Sequence, residues 1–155
     1  MNTNEIRCIL SKDSKTGEIF IDVFPMDKFR NFIHQNQFME GLYIINDENS
    51  DSAGNHWISL FRKMDKLYFI DSFAKSPSYY SLEDITQPFK NVHAVPHKIQ
   101  HIFSDVCGEY VIFFAYHLSR GKYLRDILKY FSHDCKNNDT MVKQFVHKYF
   151  PGHSR

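Results

Sequence analysis

A chain of 155 residues has the length of one domain and can bury about 68–70% of its unfolded surface, so it needs neither disulfide nor metal to hold a core. Hydrophobic residues at 43% and charged residues at 24% exclude a disordered chain, and 6 Gly and 5 Pro exclude a linker or low-complexity protein. The formal net charge of +1 supplies no global field to draw the chain onto nucleic acid or a membrane.

We expect one folding unit over residues 1–155. Cys8, Cys107 and Cys135 are odd in number and far apart, which is not the pattern of a secreted disulfide framework. The first fifteen residues contain no apolar core of signal-peptide length, and the longest apolar run, 111–116, is far short of a membrane span. A soluble protein of a reducing compartment is the expectation.

In chain order, residues 18–24 read as a strand. Pro25 then opens a short helix, 26–35, that gathers Phe29, Phe32 and Ile33 on one face. Residues 42–45 are a short apolar strand, and 46–55 a polar loop of Asp, Ser, Asn and Gly. Two β-rich runs, 56–63 and 67–73, flank Met64-Asp65-Lys66 and predict a hairpin. Residues 76–88 are irregular with a helical turn, and 91–95 form a further strand. A helix starts near Cys107, with Ser104 or Asp105 as cap, and ends at Gly121. It is apolar nearly all round, which marks a helix inside the fold. Helices at 122–131 and 139–149 follow. Strands and helices do not alternate regularly, so an α+β domain is expected rather than a doubly wound sheet.

Three stretches carry chemistry. Gly54-Asn55-His56-Trp57 opens one strand of the hairpin, Asp71 closes the other, and Gln100 to Gly108 runs into the buried helix. A cysteine at a helix N-terminus sits beside partial positive charge, which favours the thiolate nucleophile. Gly108 would let a substrate approach the backbone. His56 supplies a base that titrates near working pH. If Lys63 pairs with Lys66 across a tight turn, Ile58 faces Asp71, and His56 and Asp71 become diagonal neighbours on one face. A carboxylate there orients the imidazole and stabilises its cation. Gln100 and the backbone N–H of Cys107 are candidate oxyanion donors. Taken singly, each has an ordinary structural reading: a buried thiol, a strand-start histidine, a polar strand end, a surface glutamine.

The order His, acid, Gln, Cys, with a G-x-H-W start and a Q-x-x-x-S-x-x-C-G end, resembles adenain, the adenovirus-type maturation cysteine protease related to the proteases of ubiquitin-like modifiers. Residues 20–29 (FIDVFPMDKF) and 43–46 (YIIN) are similar to segments before the histidine in adenain-like proteins of adenovirus-related viruses and Polinton-type transposons. Residues 106–110 (VCGEY) and 117–121 (HLSRG) resemble their nucleophile helix, and Phe131-Ser132 and Asn138-Asp139 their C-terminal helices. The likeness covers roughly residues 18–150.

The resemblance implies a papain-like α+β fold with a central, mostly antiparallel sheet, a buried nucleophile helix and flanking helices. It implies that His56 is the general base, Asp71 its orienting acid, Cys107 the nucleophile and Gln100 the oxyanion donor, with Trp57 beside them. No cofactor is required; activation by DNA or a peptide belongs to the family. Adenoviral members hold an activating peptide through a cysteine between the acid and the nucleophile, and this chain has none between Asp71 and Cys107. The acid here is Asp, as in the modifier proteases, where adenoviral members use Glu. Implied substrates are viral or element-encoded capsid and core precursors, cut after small residues such as glycine, by a monomer acting in the virion and the host nucleus or cytoplasm, away from membranes. The alternatives are a protease of a ubiquitin-like modifier, and a non-catalytic DNA- or protein-binding derivative.

Two further patterns compete. His93, His97 and His101 repeat at four-residue spacing, but Pro96 opposes a helix there and no cysteine or carboxylate pair completes a zinc set, so no metal site is expected. From Arg120 onward, eight Lys and Arg face three Asp, a net +5 against −4 for the preceding residues. That asymmetry fits either solvated helix faces or a surface for non-specific DNA, and adenoviral members bind DNA along a basic face.

Overall fold

The computed structural model describes residues 1–48 and 56–153. Most of the expected polar loop, with Gly54 and Asn55, lies outside the described residues, as does Arg155. The chain begins with α1 (Thr3–Lys12) and one turn, α2 (Thr16–Ile19). Strand β1 (Phe20–Pro25) leads through α3 (Met26–Asn36) to β2 (Gly41–Asn46). The hairpin β3 (Trp57–Lys63) and β4 (Lys66–Ile70) follows, then a 3-10 turn (Pro77–Tyr80), α4 (Glu83–Thr86) and β5 (Asn91–Ala94). The chain closes with α5 (Cys107–Ser119), α6 (Leu124–Ile127), a 3-10 turn (Leu128–Tyr130), α7 (Cys135–Tyr149) and a last 3-10 turn (Pro151–His153).

The five strands lie in chain order, β1-β2-β3-β4-β5. The two inner pairings are antiparallel, and β1–β2 and β4–β5 are parallel. The sheet is therefore mixed where a mostly antiparallel one was expected, because α3 and residues 71–90 each carry the chain back to start a strand in the same direction. Lys63 pairs with Lys66, which fixes the hairpin register and places Ser59 opposite Ile70.

Side-chain alternation splits the core in two. Leu42, Ile44, Phe61, Tyr68 and Ile70 face α1 and α5, whereas Tyr43, Ile45, Ile58, Leu60, Leu67 and Phe69 face α3 and Leu82. Burial on both faces explains why every residue of β2 is buried and why the strand is apolar without polar alternation. Tyr43 is ringed by Phe24, Phe29, Phe32 and Phe38, at 5.2–6.2 Å between ring centroids, which uses much of the aromatic content.

Helix α5 is buried from Cys107 to Leu118 except at Tyr116, packed by β3, α1, α2, α6 and α7. Several boundaries depart from expectation. The strand expected from residue 18 begins at Phe20, because 16–19 close a helical turn whose Thr16 hydroxyl donates to Leu10 O at 2.8 Å. The helix expected over 122–131 is one turn of α-helix followed by a 3-10 turn. Helix α7 starts at Cys135 rather than 139, since Asp134 caps it by accepting from Lys136 and Asn137 N–H. Helix α1 was not anticipated; its sequence signal is the Asn2–Glu5 capping box.

Candidate active site

Strand β3 begins and β4 ends at the same end of the hairpin, and the first residue of α5 lies against that end, beside His56. His56 immediately precedes β3 and Asp71 immediately follows β4, so the hairpin register sets them side by side. His56 Nε2 lies 2.6 Å from Asp71 Oδ1, and both residues are buried. The histidine backbone is fixed by Asp47, which accepts from its N–H at 3.2 Å and donates to its carbonyl at 2.9 Å. Phe73 covers the imidazole at 4.6 Å between centroids.

Asp71 is saturated with donors. Phe73 N–H reaches Oδ1 at 2.9 Å, Lys75 N–H reaches Oδ2 at 3.2 Å, and the Tyr80 hydroxyl donates to Oδ2 at 2.5 Å. Burial pushes this carboxyl up, but the hydrogen bond and charge of His56, followed by Tyr80 and Phe73, hold it below the usual carboxylate range. Tyr80 was missed by sequence reading. It lies in the stretch read as irregular, and nothing in a lone tyrosine foretells that a 3-10 turn will aim it at a carboxylate. Its own hydroxyl is pushed far up, by burial first and then by Asp71, so it stays a donor.

Cys107 is the first residue of α5 and is buried beside His56. With Nε2 taken by Asp71, Nδ1 is the ring nitrogen left to face the sulfur, and it is buried. Burial pulls the imidazole pKa down, yet Asp71 and Cys107, as hydrogen-bond partners and as charges, outweigh it and raise it to about 9. The pair therefore favours an imidazolium held against the Asp71 carboxylate. A small interior gap, too narrow for a water molecule, is lined by Trp57, Ser59, Ser72, Cys107, Tyr110 and Phe114. A cavity of about 680 Å³ opens elsewhere, lined by Ile33, Phe38, Arg62 and Phe89 among others, and none of the four candidate residues touches it.

The expected cap of α5 is corrected. Val106 is the N-cap and no side chain caps the helix. Ser104 instead joins its hydroxyl to His101 O at 3.0 Å and receives Gln100 Nε2 at 3.1 Å on that hydroxyl and 3.2 Å on its carbonyl. Gly108 is also reassigned: an added Cβ would meet Met1 Cβ at 2.9 Å and Ile6 Cδ1 at 3.5 Å, so the glycine admits the N-terminal segment against α5 rather than a substrate.

Gln100 is fully buried, not a surface residue. Ser72 Oγ donates to its Oε1 at 2.5 Å. Ser72 O also accepts from Ile99 and Gln100 N–H, at 2.9 and 3.1 Å, which ties the glutamine to the residue after Asp71. The fold thus brings His56, Asp71 and Cys107 into one cluster. It holds Gln100 behind the loop leading to Cys107, with its amide hydrogens on Ser104.

In sequence, the chain matches no protein-family model and no curated protein. In three dimensions it matches the ASFV protease with a TM-score of 0.52 at 12% identity, over 91% of this chain and 65% of that one. The fold is the papain-like one of the ULP1/adenain-type cysteine proteases. The Chlamydia trachomatis effector Cdu1, solved bound to ubiquitin, matches with a TM-score of 0.52 at 13% identity, over 97% of this chain and 78% of Cdu1. ChlaDub1 from the same organism matches at 0.50 and 13%, over 94% and 74%. The chain spans just under two thirds of the ASFV protease, and at these identities what is shared is the fold.

The three histidines of the competing pattern are dispersed. His93 sits on β5 and stacks on Tyr68 at 5.1 Å, His97 stacks on His133 at 5.7 Å, and His101 Nδ1 accepts from Phe103 N–H at 3.3 Å. Among the described residues, no group of three or more His, Cys, Asp or Glu is arranged to hold a metal, and no helix is long and apolar enough to cross a membrane.

Proposed function

We propose that the protein is a cysteine endopeptidase in which Cys107 is the nucleophile, His56 the acid and base, Asp71 its orienting partner and Gln100 an oxyanion donor. The observation that carries this reading is the buried His56–Asp71 pair at 2.6 Å, set against Cys107 at the start of α5. The thiolate attacks a peptide carbonyl, and the C=O π pair moves onto oxygen. Cys107 N–H stabilises that oxyanion, and Gln100 Nε2 joins it by exchanging one of its bonds to Ser104. The His56 imidazolium protonates the leaving amine as the C–N bond breaks, leaving a thioester. Neutral His56 then takes a proton from water, which hydrolyses the thioester and releases the thiolate.

On this reading the substrates are polypeptide precursors of viral or element-encoded particles, cut after small residues, and the protein acts where such particles assemble. One observation favours a second substrate class. Cdu1, solved with ubiquitin, aligns over 97% of this chain, and the acid at position 71 is aspartate, as the resemblance assigns to the modifier proteases. The deciding experiment offers the purified protein two substrates: a peptide library with internal Gly-containing sites, and ubiquitin with a fluorogenic C-terminal amide. Internal cleavage after small residues, with ubiquitin amide untouched, supports the precursor reading. Turnover of ubiquitin amide alone overturns it in favour of the second. Cleavage of neither overturns the enzyme.

A further inference from the structure

Two buried polar residues of α7, Asn138 and Asp139, take no part in the chemistry above, yet both reach towards the loop that carries Gln100. Asn138 Nδ2 donates to Ile99 O at 3.0 Å. The same side chain is held square by Ser132, accepting from its N–H at 2.9 Å and donating to its carbonyl at 2.9 Å. Asp139 Oδ1 accepts from His101 N–H at 3.3 Å and from the Tyr110 hydroxyl at 2.7 Å. The Tyr110 oxygen also lies 3.0 Å from Ile99 O, but its one hydrogen belongs with the closer carboxylate.

From the opposite side, Ser72 O takes the N–H groups of Ile99 and Gln100. Three consecutive residues are thereby pinned front and back: Ile99 by its N–H to Ser72 and its C=O to Asn138, Gln100 by its N–H to Ser72, His101 by its N–H to Asp139. These four bonds each satisfy a separate backbone group of an irregular segment, and they come from two different elements, the residue after Asp71 and α7, while the Gln100 side chain has its own partners in Ser72 and Ser104. Burial first and Asp139 second push the Tyr110 phenol far up, so it remains a hydrogen-bond donor across the working range.

We propose that Asn138 and Asp139 are positioning residues that clamp Ile99–His101 against Ser72 and so preset the oxyanion donors, Gln100 and the Cys107 N–H. The proposal rests on the reading of Cys107 as nucleophile and Gln100 as oxyanion donor. A displacement of 1 Å in such a donor costs about 10²-fold in rate.

The test separates thiolate chemistry from oxyanion chemistry. Iodoacetamide alkylates the Cys107 thiolate and needs no oxyanion donor. A peptide aldehyde ending in glycinal adds the sulfur to its carbonyl carbon, and the π pair goes to an oxygen that the donors must hold. Both are read at Cys107 by mass spectrometry and competition. Asp139→Ala is expected to weaken aldehyde capture by roughly 10- to 100-fold while the alkylation rate stays within about twofold. Asp139→Asn, which keeps an oxygen for both donors, is expected to restore most of it. Tyr110→Phe, which deletes only a hydroxyl, serves if Asp139→Ala fails to fold, with a smaller loss of the same selectivity. Parallel loss of alkylation and capture, or no loss of capture in either variant, overturns the clamp. If the wild type is alkylated at Cys107 but never captures the aldehyde, the parent reading fails and the clamp's catalytic role falls with it. Capture by the wild type and full capture by the variants sinks the clamp alone.

Discussion

His56 sits where three demands meet. Burial disfavours its charge, while Asp71 and Cys107 favour it, and the balance lands at about 9. A histidine whose folded pKa is raised adds stability that is fully present below its unfolded value near 6.5, and this is lost as pH rises through about 9. NMR titration of the His56 ring should therefore show the imidazolium persisting to about pH 9, with the alkaline limb of kcat/KM following it. Asp71→Asn removes the negative partner and should bring both down towards the ordinary histidine range. An unshifted titration in Asp71→Asn would show that the 2.6 Å contact does not govern the ring. The placing of His56 beside Asp71, and of Cys107 at a helix start, was legible because hairpin pairing and a helix start are local patterns. Tyr80, Ser72 and Ser104 were not legible, since their roles depend on side chains meeting across 9 and 28 residues of chain, or across an irregular loop of four.

Elements read well where one periodicity dominated. The hairpin register followed from Lys63 meeting Lys66, and α5 announced itself as an apolar stretch too uniform for a surface helix. Reading failed where capping polar residues outweighed periodicity. Asp134 starts α7 four residues before the start expected from its apolar stripe, and Asn2 with Glu5 starts α1 in a segment of low hydrophobicity. Parallel pairing at the two outer positions was equally hidden, since strand direction is decided by the crossovers. Gly41, at the start of β2, illustrates how such a junction is built. Its φ is +145°, and an added Cβ would meet Ile21 Cγ1 at 2.6 Å and Ile19 O at 2.9 Å. Gly41→Ala combines backbone strain with a clash against β1 and should cost at least about 2 kcal/mol. A urea midpoint unchanged from wild type at equal m would contradict that account.

Across the molecule, the charge asymmetry seen in sequence is only partly a free surface. Arg120 is engaged by Asp13 at 3.1 Å, Lys129 by Asp126 at 3.1 Å, and Lys122 lies 4.8 Å from the Tyr130 ring centroid. If this region meets duplex DNA, binding is non-specific and steeply salt-dependent. Changing Lys122, Arg125 and Lys129 together to Glu should then flatten the log–log salt slope by up to about 2.7 units. Cleavage of a short peptide should be untouched, because the proposed triad comes from the hairpin and α5. Absence of salt-sensitive duplex binding in the wild type at low ionic strength would leave these charges as solvated helix faces.

In the proposed reaction Cys107 is the nucleophile and His56 drives it. The most direct measurement of this is covalent labelling by a peptide vinyl sulfone ending in glycine, followed by mass spectrometry of the modified peptide. The account predicts a single adduct on Cys107, none on Cys8 or Cys135, and loss of labelling in His56→Ala and Cys107→Ala proteins that remain folded. Labelling that spreads equally over the three cysteines, or that persists at Cys107 without His56, would contradict it.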